Sequence, residues 1–229
     1  MSDTVSIILP CHNSGKYLWP AIRSILFNTQ HPFELILVES ESTDGTNERC
    51  DKFAEKYENV KVIHTPKEGI TKAINKGIKL AGDNDVYLTQ DDVILPDLFE
   101  RDWLTALVDL SKTEGCGIVT TLNAGGVSGP SYLQGLSWVG TWSMFIPRKT
   151  INEVGDLDET FTPGPGDDID YTYRIMKANK QVLVTDFWVD HHRKTENFND
   201  NIEDIKRRNA EYFRKKHGLD NIRIREKTI

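Results

Sequence analysis

The chain has 229 residues, enough to bury a substantial core in one large α/β domain and too few to make a second independent domain the expectation. Its 28 Lys and Arg stand against 35 Asp and Glu, and the net charge of -7 disfavours a protein that tracks nucleic-acid phosphates over a broad surface. The three cysteines, Cys11, Cys50 and Cys116, are odd in number and outside any C-x-x-C pattern, which argues against a disulfide framework or structural zinc and fits a reducing cytoplasm.

Residues 1–4 lack the basic segment and long apolar core of a signal peptide. No apolar run approaches the roughly 20 residues needed to span a bilayer, so any membrane contact is expected to be peripheral. Through the first half, short apolar runs alternate with segments of helical periodicity, the pattern of a mainly parallel sheet covered by helices. Residues 5–9 read as the first strand. Ser14 then caps a helix whose buried stripe is Leu18, Ile22, Ile25 and Leu26, with Pro20 tolerated near its start. Residues 33–38 are the second strand, and Asp44 caps a helix burying Cys50, Phe53, Ala54 and Tyr57. Residues 60–63 make a third strand, and Ile70, Ala73, Ile74, Gly77 and Ile78 mark the next helix.

Residues 85–89 form the strand that leads into Asp91 and Asp92, and residues 98–110 a further helix. Beyond Gly115 the texture changes. Residues 117–122 are strand-like, 123–135 a Gly/Ser-rich loop, 142–146 a strand, 156–166 a Gly/Pro-rich loop and 169–178 a helix. The tail, residues 201–217, is a charged amphipathic helix that reads as a packing element.

The acidic pair is the most informative feature. Two carboxylates side by side at the end of a buried strand repel each other, and a hard divalent cation such as Mg²⁺ or Mn²⁺ relieves that repulsion. Open α/β sheets bind ligands at the same end. For the pair by itself the competing reading is a solvated turn before Pro96.

Taken with the pieces around them, these acids resemble a site found in one family. In order along the chain come Val5-Ser6-Ile7-Ile8-Leu9-Pro10-Cys11-His12-Asn13, then Glu39-Ser40-Glu41-Ser42-Thr43-Asp44-Gly45-Thr46, then Gly69 with Asn75 and Gly77. Gln90-Asp91-Asp92, Gly155-Asp156-Leu157-Asp158-Glu159, Gly166-Asp167-Asp168-Ile169-Asp170 and Asp190-His191-His192 follow. From about Val5 to His192 the chain resembles a family two glycosyltransferase of the GT-A fold. That resemblance implies a mainly parallel, Rossmann-like α/β sheet flanked by helices, with a smaller mixed acceptor-side half. Residues 1–115 or so would be the nucleotide-sugar half, 116–195 the acceptor and catalytic half, and 196–229 a helical tail of the same single domain.

The resemblance also implies roles. Pro10, His12 and Asn13 would hold the nucleotide base, with His12 where a Tyr is usual, and Glu39 would accept hydrogen bonds from a base imide or ribose hydroxyl. The family's basic side chain on the helix after Gly69 falls at Ile74, leaving Lys72 or Lys67 to approach the diphosphate; a solvated face is the alternative for either. Asp92 would ligate the cation, Asp91 would touch ribose or sugar, and Gln90 replaces the first acid of the familiar D-x-D. His191 is the second expected ligand and His192 the alternative. Asp168 would be the base, while Asp167 and Asp170 have a competing reading as helix caps. Trp138, Gly140 and Trp142 would frame donor and acceptor sugars, with core packing the alternative for Trp142.

The expected function is therefore a cytoplasmic, divalent-metal-dependent inverting glycosyltransferase. It would use a nucleotide-sugar donor, UDP-linked before others, and a glycan, lipid-linked or protein acceptor. A non-catalytic sugar-nucleotide or glycan-binding module is the rival suggested by Glu39, Ile74 and Gln90. A sugar nucleotidyltransferase is disfavoured because Pro10-Cys11-His12-Asn13 is neither Gly-rich nor basic.

Overall fold

A computed structural model describes residues 3–98, 100–123, 125–126, 138–192 and 202–219. The first half alternates strictly: β1 (Val5–Cys11), α1 (Leu18–Asn28), β2 (Phe33–Ser40), α2 (Thr46–Lys56), β3 (Val60–Thr65), α3 (Ile70–Leu80) and β4 (Asp85–Thr89). Then come β5 (Val93–Ile94), α4 (Trp103–Ser111), β6 (Cys116–Thr120), β7 (Gly125–Gly126), β8 (Trp138–Val139) and β9 (Ser143–Ile146). The chain continues through α5 (Arg148–Val154), a 3₁₀ turn (Glu159–Phe161), α6 (Asp167–Lys177), β10 (Gln181–Val184), β11 (Asp190–His191) and α7 (Ile202–His217).

One seven-stranded sheet runs in the order β10-β6-β9-β4-β1-β2-β3. The four strands β4, β1, β2 and β3 are parallel, β9 lies antiparallel between β4 and β6, and β10 is parallel to β6. Strand alternation divides the core into two layers. Ile7, Leu9, Leu35, Leu37 and Tyr87 face one way, onto α1, α2 and α4 through Leu18, Ile22, Cys50, Trp103 and Leu107. Ile8, Ile36, Val38 and Leu88 face the other, onto α3, α5 and α6 through Ile74, Ile78, Ile151 and Ile175. Ala210 and Phe213 of α7 are buried, so the tail helix packs as its pattern suggested.

Several elements depart from the sequence reading. Ser14 does not cap α1: the N-cap is Tyr17, with no side-chain hydrogen bond, and the Ser14 amide instead donates to Thr46 Oγ1 at 2.9 Å. Helix α4 begins at Trp103, because the Asp102 carboxylate accepts from the Thr105 amide at 2.7 Å and stops the helix extending backward. The two-residue strands β5, β7, β8 and β11, together with β10 and α5, have no counterpart in the sequence pattern; segments this short carry no readable period. Most of the Gly/Ser-rich loop expected at residues 123–135 lies outside the described residues.

Helix α3 lies unusually close to β1. A Cβ built on Gly77 would stand 2.5 Å from Ile8 Cγ2. Gly77→Ala is therefore expected to destabilise the fold by about 1–3 kcal/mol, the range of core overpacking, read as a lower urea midpoint with unchanged slope. An unshifted midpoint would contradict this packing.

Candidate functional site

Strand β1 is where the sheet changes direction, with β2 on one side and β4, reached after β3, on the other. A crevice outside the carboxyl ends of strands at such a switch is the usual ligand site of an open α/β sheet. Pairing of β1 with β4 ends at Ile8↔Leu88, whereas pairing with β2 continues to Cys11↔Glu39. Pro10, with no N–H to donate, therefore lies beyond the last rung on the β4 side.

The loops after β1 and β2 are laced into one rim. The His12 Nδ1 donates to the Ser40 carbonyl at 2.6 Å, and the Asn13 amide donates to Ser42 Oγ at 3.0 Å. Asn13 adopts a left-handed φ of 46° and accepts from the Thr43 amide at 2.8 Å. The Gly15 amide donates to Asp44 Oδ2 at 2.8 Å, while Asp44 Oδ1 accepts from the Thr46 amide at 3.1 Å. Asp44 thus serves the start of α2 as expected, although the N-cap position itself is Gly45 with φ 82°.

Glu39 is 2% exposed and its carboxylate is engaged inside the protein. One oxygen accepts from the Ser42 amide at 2.7 Å; the other lies 2.9 Å from His64 Nδ1, and His64 Nε2 lies 2.9 Å from Asp51. Burial opposes ionisation of Glu39, but these hydrogen bonds outweigh it and hold the carboxyl below its usual range. A nucleotide reaching Glu39 would have to share these oxygens. On α3, Ile74 is fully buried, and Lys72 Nζ is paired with Glu68 at 3.1 Å alongside Lys76.

At the end of β4, Gln90-Asp91-Asp92 form a tight turn in which the Val93 amide donates to the Gln90 carbonyl at 3.2 Å. Strand β5 then pairs antiparallel with β11, Val93 opposite His191. The His192 amide donates to the Asp92 carbonyl at 3.0 Å, and this short ladder carries His191 Nε2 to 3.5 Å from Asp92 Oδ1. Asp92 is buried, and the Trp142 ring lies over His191 with centroids 4.4 Å apart. Strand alternation turns His192 the other way, towards Asp190 at 3.5 Å and the Tyr17 ring. Of the two candidate histidines, the structure brings His191 to Asp92.

These donors suit a particular kind of cation. One carboxylate oxygen and one imidazole nitrogen make an incomplete shell, and among the described residues no group of three or more His, Cys, Asp or Glu forms a self-contained metal cage. Mg²⁺ and, by the same hard-oxygen chemistry, Mn²⁺ are commonly held by one or two protein groups plus water and substrate phosphates. Negative charge is dense here: burial first, then Cys50 and the charges of Asp91 and Glu39, push the Cys11 thiol well up.

A second acidic group opens α6. Gly166, at φ 119°, is the N-cap, so Asp167 does not cap, although Asp167 and Asp170 both sit in the first turn, where negative charge suits the helix dipole; Asp167 Oδ2 accepts from Thr71 Oγ1 of α3 at 3.0 Å. Asp170 does not cap either. It is fully buried and meets Arg174 at 2.8 Å, Lys216 at 2.7 Å and His217 at 2.8 Å. Asp168 is half-buried, with Oδ1 accepting from the Ile169 amide at 2.8 Å. Burial and then the neighbouring Asp167 charge push its carboxyl up to about 7, and burial raises Asp167 as well.

The loop before α6 is pinned from both sides. Asn75 of α3 donates to the Leu157 carbonyl at 2.9 Å and accepts from its amide at 3.1 Å. Asn209 of α7 donates to the carbonyls of Phe161 at 3.0 Å and Pro165 at 2.8 Å, and Lys216 bridges Asp158 to Asp170. The role of α7 in holding this loop and α6 was not legible in the sequence, because its partners arrive from distant segments.

Between the two acidic groups lies the 138–142 strip. Trp138 in β8 packs with Phe161, Ile169 and Phe213, and the Val139 amide donates to Thr172 Oγ1 of α6 at 3.0 Å. A Cβ on Gly140 would fall 2.2 Å from Trp142 Nε1, so glycine makes room for the indole that covers His191. Trp142 also packs on the core, as the alternative reading of it expects.

Comparison with known proteins agrees with this fold. The model of Glycosyl transferase family 2 matches residues 6–165. Glycosyltransferase GlyG of Streptococcus pneumoniae serotype 4 is 36% identical over 102 residues, 44% of this chain and 34% of GlyG. The Escherichia coli protein YibD, called an uncharacterized glycosyltransferase, is 29% identical over 109 residues, 47% of this chain and 32% of YibD. The matched segment thus spans about a third of these relatives. Among solved structures, GalNAc-T7 with UDP, GalNAc and Mn²⁺ superposes with a TM-score of 0.70 at 16% identity, covering 98% of this chain and 52% of that one. Mannosyltransferase PcManGT from Pyrobaculum calidifontis, in complex with GDP-Man and Mn²⁺, gives 0.64 at 19% identity, covering 79% and 54%. These two show the shared fold, and the family match over residues 6–165, more than half the chain, shows that this protein belongs to glycosyl transferase family 2.

Proposed function

We propose that the protein transfers a sugar from a nucleotide-diphosphate donor, UDP-linked before others, to an acceptor hydroxyl with inversion, as a step in glycan synthesis. The observation that carries this reading is buried Asp92 with half-buried His191, 3.5 Å apart at the switch-point crevice, together with Asp168, whose carboxyl is pushed up to about 7. Structural neighbours holding GDP-Man or UDP with Mn²⁺ support the nucleotide and metal classes.

Asp92 and His191 would hold Mn²⁺ or Mg²⁺, which when bound supplies Lewis-acid stabilisation of charge on the leaving diphosphate. The rim of Pro10, His12 and Asn13 flanks the base, and Asp91 faces the ribose or sugar. Asp168 takes the proton of the acceptor hydroxyl as its oxygen attacks the anomeric carbon; a single displacement inverts that centre and needs no covalent intermediate. A carboxylate with proton affinity near pH 7 suits this role better than one with an ordinary value. Buried free thiols at Cys11, Cys50 and Cys116 are compatible with a cytoplasmic setting. Among the described residues no helix is long and apolar enough to cross a membrane.

A non-catalytic sugar-nucleotide-binding module is the second reading. It draws on the internal engagement of Glu39, the burial of Ile74 and the uncharged Gln90. Purified protein with Mn²⁺ and a panel of UDP-sugars and GDP-mannose separates the two, because water serves as a poor acceptor. Slow nucleotide release that needs Mn²⁺ and stops with EDTA is expected. Tight nucleotide binding with no release from any donor, acceptors included, would favour the module.

A further inference from the structure

A cavity of about 500 Å³ opens beside His191, on the side of Leu95 and Pro96, with Trp142 and Trp188 among its walls. We propose that it is an acceptor subsite that takes a sugar ring, stacked by its apolar face on Trp188. The proposal rests on the glycosyltransferase reading and adds to it a place and a chemistry for the acceptor.

Trp188 is 65% exposed, while its neighbours Phe187 and Val189 are buried. This presentation is rigid. Asn123 holds the Val189 backbone from both sides, donating to its carbonyl at 2.6 Å and accepting from its amide at 3.2 Å, and the Leu122 amide donates to the Phe187 carbonyl at 3.0 Å. With the backbone held on both sides of Trp188, only side-chain freedom remains to be lost when a ligand covers the indole.

The wall chemistry narrows the occupant. Indole faces and the apolar side chains of Ile94, Leu95 and Pro96 suit the C–H face of a pyranose. The Asp190 carboxylate, 71% exposed at the cavity wall, suits hydroxyl donors. A second anion such as a phosphate would meet the Asp190 carboxylate, and a bare lipid tail would have to desolvate it. The volume lies within the usual range for small-molecule sites. Because His191 walls this cavity and also lies 3.5 Å from Asp92, a ring bound here lies next to the proposed donor site.

Saturation-transfer NMR tests the proposal on the whole chain, using the methyl β-glycosides of glucose, galactose and N-acetylglucosamine, cellobiose and chitobiose as probes, with UDP and Mn²⁺ present or absent. At least one probe is expected to receive saturation chiefly on its C–H face. Trp188→Ala should weaken that binding about tenfold and Trp188→Phe should restore part of it, the size of one aromatic contact. UDP–Mn²⁺ affinity, read by calorimetry, should be the same in all three proteins. Sugar contact that survives Trp188→Ala, or no sugar contact while UDP–Mn²⁺ still binds, overturns the subsite and leaves the transferase reading standing. Absence of UDP–Mn²⁺ binding in the parent protein, with Trp188-dependent sugar contact intact, would keep a sugar site in this cavity but sink the transferase reading and the acceptor role with it.

Discussion

Asp168→Asn is expected to cut sugar transfer by at least about 10²–10⁴-fold, the usual worth of a general base, while leaving UDP–Mn²⁺ affinity nearly intact. Asparagine keeps the shape and cannot take a proton, so the loss belongs in kcat more than in the donor KM. In the parent enzyme, kcat/KM should rise with pH to a plateau above about 7, since burial and the Asp167 charge hold the Asp168 carboxyl there. The same shift has a consequence for stability. Because its proton affinity in the folded protein exceeds the unfolded carboxylate value of about 3.9, Asp168 favours folding below that value, and this contribution is lost as pH rises through about 7. Asp168→Asn should therefore melt above the parent at pH 8, with the gap shrinking as pH is lowered towards 4. Near-normal turnover in this variant, with Asp167→Asn inactive, would move the base to Asp167. A lower melting temperature at pH 8 would contradict a half-buried carboxylate repelled by Asp167.

Asp92→Asn is expected to remove the Mn²⁺-dependent part of UDP binding and, with it, transfer. The change takes away the buried carboxylate nearest His191 Nε2 but leaves the Asp92 carbonyl, which receives the His192 amide, in place, so the β5–β11 ladder should persist. The loss should exceed the roughly 10–100-fold that removing a mere supporting partner of a metal ligand costs. His191→Ala should have the same sign and a smaller size, because water can fill one position of a Mg²⁺ or Mn²⁺ shell. Calorimetric titration of UDP with Mn²⁺ or with EDTA measures both. Unchanged affinity in Asp92→Asn would place the cation elsewhere, and a loss in His192→Ala without one in His191→Ala would exchange the two histidines.

Much of the donor half was legible along the chain because its elements are long enough to show their period. Residues 85–89 were read as the strand that observation gives, and the stripe Ile70, Ala73, Ile74, Gly77 and Ile78 lies on the buried face of α3. The acids after β4 could be placed for the same reason: the apolar run Val86-Tyr87-Leu88, once followed by polar and charged residues, has to end where the core ends. The second half was harder. Two-residue strands have no period, and the caps proposed for Ser14, Asp167 and Asp170 failed because each side chain or its amide has a distant partner that local sequence does not contain.

The sequence by itself determined the alternation of strand and helix, the buried faces that follow from it, and the order of acidic and histidine motifs. These depend on local periodicity and on residue chemistry. Tertiary structure alone decided that His191 rather than His192 meets Asp92, since strand alternation in β11 and its register against β5 settle which ring points inward. It also decided that Glu39 turns to Ser42 and His64, and that α7 supplies Lys216 and His217 to Asp170. Asp168 keeps its proton to near pH 7 for the same kind of reason: its proton affinity depends on how much water is excluded and which charges lie nearby, and folding sets both.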